Sequence, residues 1–337
     1  MILYIGNQLS KHGNTPTSVE TLGTLLSEDF NVLTVSDKKN KLLRLLDMCL
    51  SIVKYRKDID FILIDTYSTL NFYYALICAY IAKFFTLPYI PILHGGNLPE
   101  KLKKKPILSN FIFANSYTNV APSGYLKDAF EKGGYNVMYI PNTIEIKNYE
   151  FTKRSQVNPK LLYVRAFSKP YNPMMALDVL QILLKKYPDS KLCMVGPDRD
   201  GTFQETKDLC AEMGLDDKVI FTGKLSKEEW WSLSKEYNIF INTTNVDNTP
   251  VSLIEAMALG LPVVTTNVGG IPYLVKDGVD ALIVPSRDAK AMSKKIELLI
   301  EDQNITLQII NNGRKKAESF DWVNVKPLWL KLLKEGV

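Results

Sequence analysis

The sequence predicts an α/β protein made of two doubly wound halves, each with a parallel sheet covered by helices on both faces. Short apolar strands alternate with helical stretches along the whole chain, which is the pattern of a sheet buried on both sides. At 337 residues the chain is long for one domain and comfortable for two. A polar, aperiodic stretch at 143–159, TIEIKNYEFTKRSQVNP, separates the two runs of alternation and reads as the linker.

The first half opens with a strand, ILYIG (2–6), and a polar loop that runs into a helix from about Ser18 to Ser27. NVLTVS (31–36) is the second strand, followed by a basic helix. FILIDT (61–66) is the third, followed by an apolar helix over 69–84. YIPILHG (89–95) is the fourth. TNVAPS (118–123), a helix from about Gly124 to Lys132, and VMYIPN (137–142) complete this half. In the second half, LLYVRAF (161–167) is a strand, with a helix from about Pro173 to Lys186 after it. KLCMVG (191–196), VIFTG (219–223), NIFINTT (238–244) and ALIVPS (281–286) continue the sheet, with helices near 203–213, 226–236 and 288–301. A last amphipathic helix begins after Asp321. Ligands of such sheets sit at the carboxyl ends of the strands. In the first half that draws attention to the loop Gly6–Thr17 and to His94-Gly95-Gly96.

Composition, 46% hydrophobic and 23% charged, is that of a globular protein and excludes disordered or fibrous classes. Cys49, Cys78, Cys193 and Cys210 lack metal-ligand spacing and read as reduced thiols, which fits a cytoplasmic location. With only His12 and His94 present, a histidine-rich metal site is excluded, and no metal is expected. MILYIG reads as a buried strand and not as an export signal. The apolar run 72–82 is interrupted by Lys83, Pro88 and Pro91 before it reaches the ~20 residues a bilayer requires. The net charge of +5 is concentrated early, in Lys38, Lys39, Lys41 and Arg44, in Lys54, Arg56 and Lys57, and in KLKKK at 101–105. Such runs are ordinary solvated surface, or else a face that approaches anionic lipid head groups at the inner side of a membrane through 38–57 and 101–105. No nucleic-acid motif accompanies them, so nucleic acid is not an expected partner.

The most informative stretch is Asp247–Pro272, DNTPVSLIEAMALGLPVVTTNVGGIP. Asn248 and Thr249 read as turn and cap residues, and Pro250 suits a first helical position. Val251 and Ser252 then offer backbone N–H groups at the positive end of a helix, a ready phosphate site. Glu255 lies one turn further on in an otherwise apolar helix. A carboxylate there requires donors to offset its desolvation, and the hydroxyls of a ribose would supply them. The plainer reading is a capped helix with one solvated glutamate. Gly260 and Pro262 end the helix, and PVVTT runs on as a strand.

Two doubly wound halves with this stretch in the second resemble the GT-B glycosyltransferases, and most closely the retaining family 4, glycosyltransferase group 1. Glu255-Ala256-Met257-Ala258, Gly260, Pro262-Val263-Val264 and Gly269-Gly270-Ile271-Pro272 match that family's pattern, which carries two acids with seven residues between them. The first acid is here Asp247 instead of glutamate, and Asn248-Thr249-Pro250 replaces a glycine-aromatic-glycine segment. LYVRAFSK resembles the family's strand ending in an arginine, with a lysine shortly after it. VGPDRDG and FTGKLS resemble its turns near the nucleotide base, and Asp65, Ser123 and 141–143 fall at its usual landmarks.

The resemblance implies a GT-B fold with a central cleft: an acceptor-binding domain over 1–150, a donor-binding domain over 151–318 and a terminal helix, 319–337, crossing back. It implies transfer of a sugar from a nucleotide diphosphate sugar, UDP first and GDP second, to a hydroxyl of a glycan or lipid-linked acceptor in surface polysaccharide assembly. Configuration would be retained, without metal or cofactor. Arg165 and Lys169 would clamp the diphosphate with the backbone N–H groups of Val251 and Ser252 at the helix start, next to Thr249 and Pro250. Glu255 would hold ribose, and the backbone near Leu225 would border the base. His94 and Asp247 would position the sugar, and His12, Gly13 and Asn14 would form an acceptor or phosphate loop. The leaving phosphate itself would help to take the acceptor's proton, so no side-chain nucleophile is named. A nucleotide-sugar epimerase and a non-catalytic nucleotide-sugar binder are the rival readings.

Overall fold

The computed structural model describes residues 1–13, 16–154 and 156–334. The chain forms two compact units: Met1–Pro141 together with the chain from Lys326 onward, and Asn142–Val325.

In the first unit the elements are β1 (Ile2–Ile5), α1 (Ser18–Leu26), β2 (Val32–Val35), α2 (Lys41–Tyr55), β3 (Phe61–Thr66), α3 (Asn71–Phe84), β4 (Tyr89–Leu93), α4 (Leu98–Lys104), α5 (Pro106–Ala114), β5 (Asn119–Ala121), α6 (Gly124–Lys132) and β6 (Val137–Tyr139). The sheet is parallel in the order β2-β1-β3-β4-β5-β6. Every residue of β1, β3 and β4 is buried, as their unbroken apolar runs require. Small side chains on α3, Ala75, Ala79 and Ala82, let that helix sit close to the sheet beside Phe72. The strand order reverses between β1 and β3, so the carboxyl ends of these two strands flank a crevice.

Helices α4 and α5 occupy a region that the sequence marked only by its lysines. KLKKK builds the end of α4, where Lys101, Lys103 and Lys104 complement the negative end of the helix dipole. Pro106 opens α5 at a position where no N–H is required.

In the second unit, β7 (Lys160–Val164), α7 (Met174–Leu184), β8 (Lys191–Val195), α8 (Thr202–Glu212), β9 (Val219–Gly223), α9 (Lys227–Leu233), β10 (Ile239–Asn242), α10 (Val251–Ala258), β11 (Val263–Thr266), α11 (Ile271–Leu274), β12 (Leu282–Val284), α12 (Ala289–Glu301) and α13 (Gln303–Glu318) follow in order. The parallel sheet runs β12-β11-β10-β7-β8-β9, and its order reverses between β7 and β10.

The stretch 143–159 packs as part of this unit. Ile144 is buried, and its backbone bonds with Phe320 and Trp322. Arg154 is buried and donates to four carbonyls, those of Thr152, Ser234, Tyr237 and Leu259. Burial draws its pKa down to about 10. Arg154, one of the polar side chains that made this stretch look like a linker, thus satisfies buried backbone acceptors. Helix α13, absent from the sequence reading, is polar on average but starts at an Asp302 cap and buries Thr306, Ile309, Ile310 and Ala317. Its Gly313 meets Met257 of α10. The last helix, α14 (Trp322–Lys334), begins in the second unit and ends in the first, where Lys326 pairs with Asp29 at 2.7 Å and Glu28 at 3.2 Å.

Candidate functional site

At the crevice of the second unit, Arg165 follows β7 directly, and Thr243 to Asp247 follow β10. Threonines fasten the loops after these two strands. Thr243 donates to the carbonyl of Asn172 at 2.8 Å and Thr244 to that of Pro170 at 3.2 Å, while the amide of Asn245 also reaches Pro170 at 2.8 Å. Arg165 and Asp247, 82 residues apart in sequence, form an ion pair at 2.5 Å with side chains 21% and 7% exposed. The guanidinium lies 4.2 Å from the ring of Tyr171, a cation–π contact that the sequence did not disclose. The second carboxylate oxygen of Asp247 accepts from the amide of Asn248 at 2.9 Å.

Burial pushes the Asp247 carboxyl up, against the opposing pull of Arg165 and the Asn248 amide. For Arg165, burial acts to lower the pKa, but the Asp247 charge, with Tyr171 and Tyr163, outweighs it and holds the guanidinium more firmly protonated. The Nε of Arg165 is buried without a partner, and so is the hydroxyl of Thr249. An unpaired donor beside a partly exposed guanidinium suits an anion site.

Gly269 and Gly270 press the following loop onto this one. A Cβ at Gly269 would lie 1.9 Å from the Asp247 carbonyl oxygen, and one at Gly270 would lie 1.9 Å from that of Asn248. The Gly270 amide donates to the Asp247 carbonyl at 3.1 Å.

Helix α10 starts at Val251, one residue later than expected, with Pro250 outside it in extended conformation at φ −68° and ψ 110°. The residue before it, Pro250, makes no side-chain cap, and the Thr249 hydroxyl has no partner, so Thr249 does not play the cap role read from the sequence. Val251 and Ser252 are half-buried at its positive end. Glu255, one turn in, is buried. Its Oε1 accepts from the Tyr149 hydroxyl at 2.8 Å and pairs with Lys227 at 3.0 Å. Tyr149 packs on Trp231 at 4.4 Å, and burial first, then the Glu255 charge, hold its hydroxyl protonated. Lys227 opens α9 behind a Ser226–Glu229 capping box, and so ties the segment carrying Leu225 to α10. Leu225 itself packs beside the α10 cluster after the left-handed Gly223, φ 70°.

Lys169 is not brought to Arg165. It opens a short turn, its side chain is 72% exposed, and its ammonium lies 3.9 Å from Glu205. Tyr171 takes the place beside the guanidinium instead.

In the first unit, His94 follows β4, half-buried, with Nε2 2.7 Å from Asp65 at the end of β3. His12 is exposed and its ring meets the Asp37 carbonyl at 2.9 Å, with Gly13 next to it in the left-handed region at φ 82°. Asn14 lies outside the described residues. Among the described residues no group of three or more His, Cys, Asp or Glu could hold a metal ion, and no helix is long and apolar enough to cross a membrane.

The family described as Glycosyl transferases group 1 matches residues 146–316. The chain is 27% identical over 178 residues to an N-acetyl-D-galactosaminyltransferase of Campylobacter jejuni named for a PP-undecaprenol-linked acceptor. That match covers 52% of this chain and 48% of the relative, so the chain spans about half the length of that protein. It is also 27% identical over 245 residues to the capsular polysaccharide biosynthesis glycosyltransferase CapM of Staphylococcus aureus, covering 71% of this chain and 62% of CapM. Among solved structures, HepE of Anabaena in complex with UDP and glucose matches with a TM-score of 0.79 at 19% identity, covering 99% of both chains. Sucrose-phosphate synthase of Thermosynechococcus elongatus matches with a TM-score of 0.82 at 16% identity, over 99% of this chain and 98% of that one. The two doubly wound units therefore have the GT-B fold.

Proposed function

Because this chain belongs to the glycosyl transferases group 1 family, we propose that it transfers a sugar from a nucleotide diphosphate sugar to a hydroxyl of a glycan or lipid-linked acceptor, with retention of configuration. One observation carries the reading: Arg165, the start of α10 and the buried Glu255 all lie around the carboxyl ends of β7 and β10. That crevice is where a doubly wound sheet binds a nucleotide. UDP as the nucleotide is supported by the UDP complex of HepE. A lipid-linked acceptor is supported by the name of the Campylobacter relative.

The bond from the anomeric carbon to the diphosphate breaks, the acceptor oxygen bonds to that carbon on the same face, and the acceptor proton passes to the departing phosphate. The charge that develops on the diphosphate falls to Arg165 and the α10 N-terminus. A phosphate oxygen entering there competes with Asp247 for the guanidinium and so releases that carboxylate toward sugar hydroxyls. Glu255 accepts from ribose hydroxyls beside Tyr149 and Lys227. With these cations supplied by the chain, activity should survive excess chelator. The deciding experiment is a panel of nucleotide sugars with and without acceptor. Release of nucleoside diphosphate only with acceptor, and a product of unchanged anomeric configuration by proton NMR, are expected. Hydrolysis-free binding alone, or an isomerised nucleotide sugar without acceptor, would overturn the proposal.

For the partner surface, the first unit offers α2 and α3. Leu42, Leu43, Leu46 and Leu50 are exposed along α2, with Leu42 at 65%; Tyr73, Ile77, Tyr80 and Phe84 are exposed along α3, with Phe84 at 74%. Lysines and arginines frame these stripes: Lys101 lies 5.1 Å from the Phe72 ring, Lys83 5.3 Å from Phe111 and Arg56 5.6 Å from Phe85. Exposed leucines with a cationic border are the chemistry of an anionic lipid interface. On this reading, wild type sediments with phosphatidylglycerol vesicles, and the double substitution Leu46→Glu, Leu50→Glu weakens that binding by roughly tenfold or more. Equal sedimentation of the two proteins would refute it.

A further inference from the structure

We infer that Asp65 is a positioning residue: it holds His94 in the form protonated on Nε2, which leaves Nδ1 as the ring nitrogen presented to a substrate hydroxyl. The inference rests on the transferase reading for the identity of that substrate, and on geometry for everything else.

His94 and Asp65 lie at the carboxyl ends of β4 and β3, next to the point where the strand order of the first sheet reverses. That is the ligand-binding edge of a parallel sheet. The loop after His94 is pressed onto the loop after β3, since a Cβ at Gly95 would lie 2.6 Å from the Ser68 amide nitrogen.

The Asp65 side chain is 1% exposed. Its Oδ1 accepts from the Tyr4 hydroxyl at 2.9 Å and meets His94 Nε2 at 2.7 Å. Its Oδ2 is buried and has no hydrogen-bond partner. Only a glycine leaves room for that oxygen, because a Cβ at Gly6 would sit 2.6 Å from it. A carboxylate kept for structure would accept backbone amides or an arginine; among the described residues this one accepts neither.

Burying a half-satisfied carboxylate costs folding free energy. Its neighbours do not offset that cost with charge. Tyr4 and Tyr67 are the other titratable groups facing it, and burial, reinforced by Asp65, keeps both protonated. The one group that can share a proton with Asp65 is therefore the His94 ring, held from its far face by the stacked ring of Tyr67 at 5.1 Å.

A ring that donates from Nε2 to Asp65 has its acceptor lone pair on Nδ1. Among the described residues Nδ1 has no hydrogen-bond partner, and the ring is partly open to solvent. The arrangement fixes which nitrogen faces a hydroxyl. That task differs from binding the nucleotide, whose candidate residues lie in the second unit.

The chain has only two histidines, so its ring-nitrogen NMR spectrum can be assigned with one substitution, His12→Gln. The wild-type His94 signals are expected to show a protonated Nε2 and a bare Nδ1. In Asp65→Ala this form gives way to a mixture, kcat falls about 10–100-fold, and the affinity for UDP alone stays unchanged. Asp65→Asn, which keeps an acceptor oxygen, recovers part of kcat. Tyr4→Phe removes the other bond to the same oxygen and leaves the His94 spectrum as it was. A wild-type spectrum with the proton on Nδ1 overturns the inference whatever the activity, and so does an Asp65→Ala protein that keeps wild-type kcat after losing the Nε2 proton. Should Asp65→Ala fail to fold, the wild-type spectrum still decides. Absence of transfer from every donor, with the expected spectrum, would sink the transferase reading and leave the Asp65–His94 assignment in place.

Discussion

Glu255→Ala removes the acceptor shared by Tyr149 and Lys227 and, on the proposed reading, the partner of the ribose. Hydrogen bonds to a charged group contribute about 1.5–3 kcal/mol each, so UDP affinity should fall roughly 10- to 150-fold by calorimetry while the circular dichroism spectrum stays native. Unchanged affinity would remove Glu255 from the site. Arg165→Ala leaves Asp247 buried without its cation. Turnover should drop by about two to three orders of magnitude, as when a charge-stabilising donor is lost from a reacting centre. Near-normal single-turnover rates would contradict that role. Glu255, Arg165 and Asp247 were legible in the sequence because each stands in a local pattern: an acid in an apolar helix, a cation at a strand end, an acid eight positions before the other. Tyr171, Tyr149 and Lys227 were not legible, because only tertiary packing brings them to their partners. Lys169 shows the converse: its charge was plain, but its side chain lies exposed, with Glu205 as its neighbour.

Among the elements, the loop between β8 and α8 carries a sharp pH dependence. Asp200 accepts from the Thr202 and Ser168 hydroxyls and the Lys169 amide, so it joins the start of α8 to the turn after β7. These bonds, the Thr202 hydroxyl foremost, lower its pKa to about 2 from the usual 3.8. A depressed carboxylate contributes stability that is complete above the unfolded value and is lost as pH falls through the folded one. Protease susceptibility within 166–202 should therefore rise between pH 4 and pH 2 in wild type, while Asp200→Asn should show little change over that window. The helices themselves were legible where an apolar face repeats, as in α3 and α7. Helices α4 and α13 escaped because they are rich in lysines or amides, and α5 because its nine residues are a short apolar run without a side-chain cap.

For the whole molecule, the alternation of strands and helices was enough to give two parallel sheets. What alternation does not contain is strand order, and strand order is what places Arg165 and Asp247 at one crevice. The division of labour between the units has a direct readout. In hydrogen exchange, UDP should protect amides in 165–171, 223–227 and 247–256 and leave the β3 and β4 segments of the first unit unchanged. Uniform protection of both units would show that nucleotide is not held by the second unit alone.

The contact of Gly269 and Gly270 with the backbone of Asp247 and Asn248 bears on how donor choice could be redesigned. Libraries that vary only 247–250 would hold one wall of a mould fixed while recasting the other. Variants that move this backbone meet the glycine loop first. Productive changes of donor should come from paired randomisation of 247–250 and 267–270, with the two glycines kept, so that both sides of the contact are selected as one heritable unit.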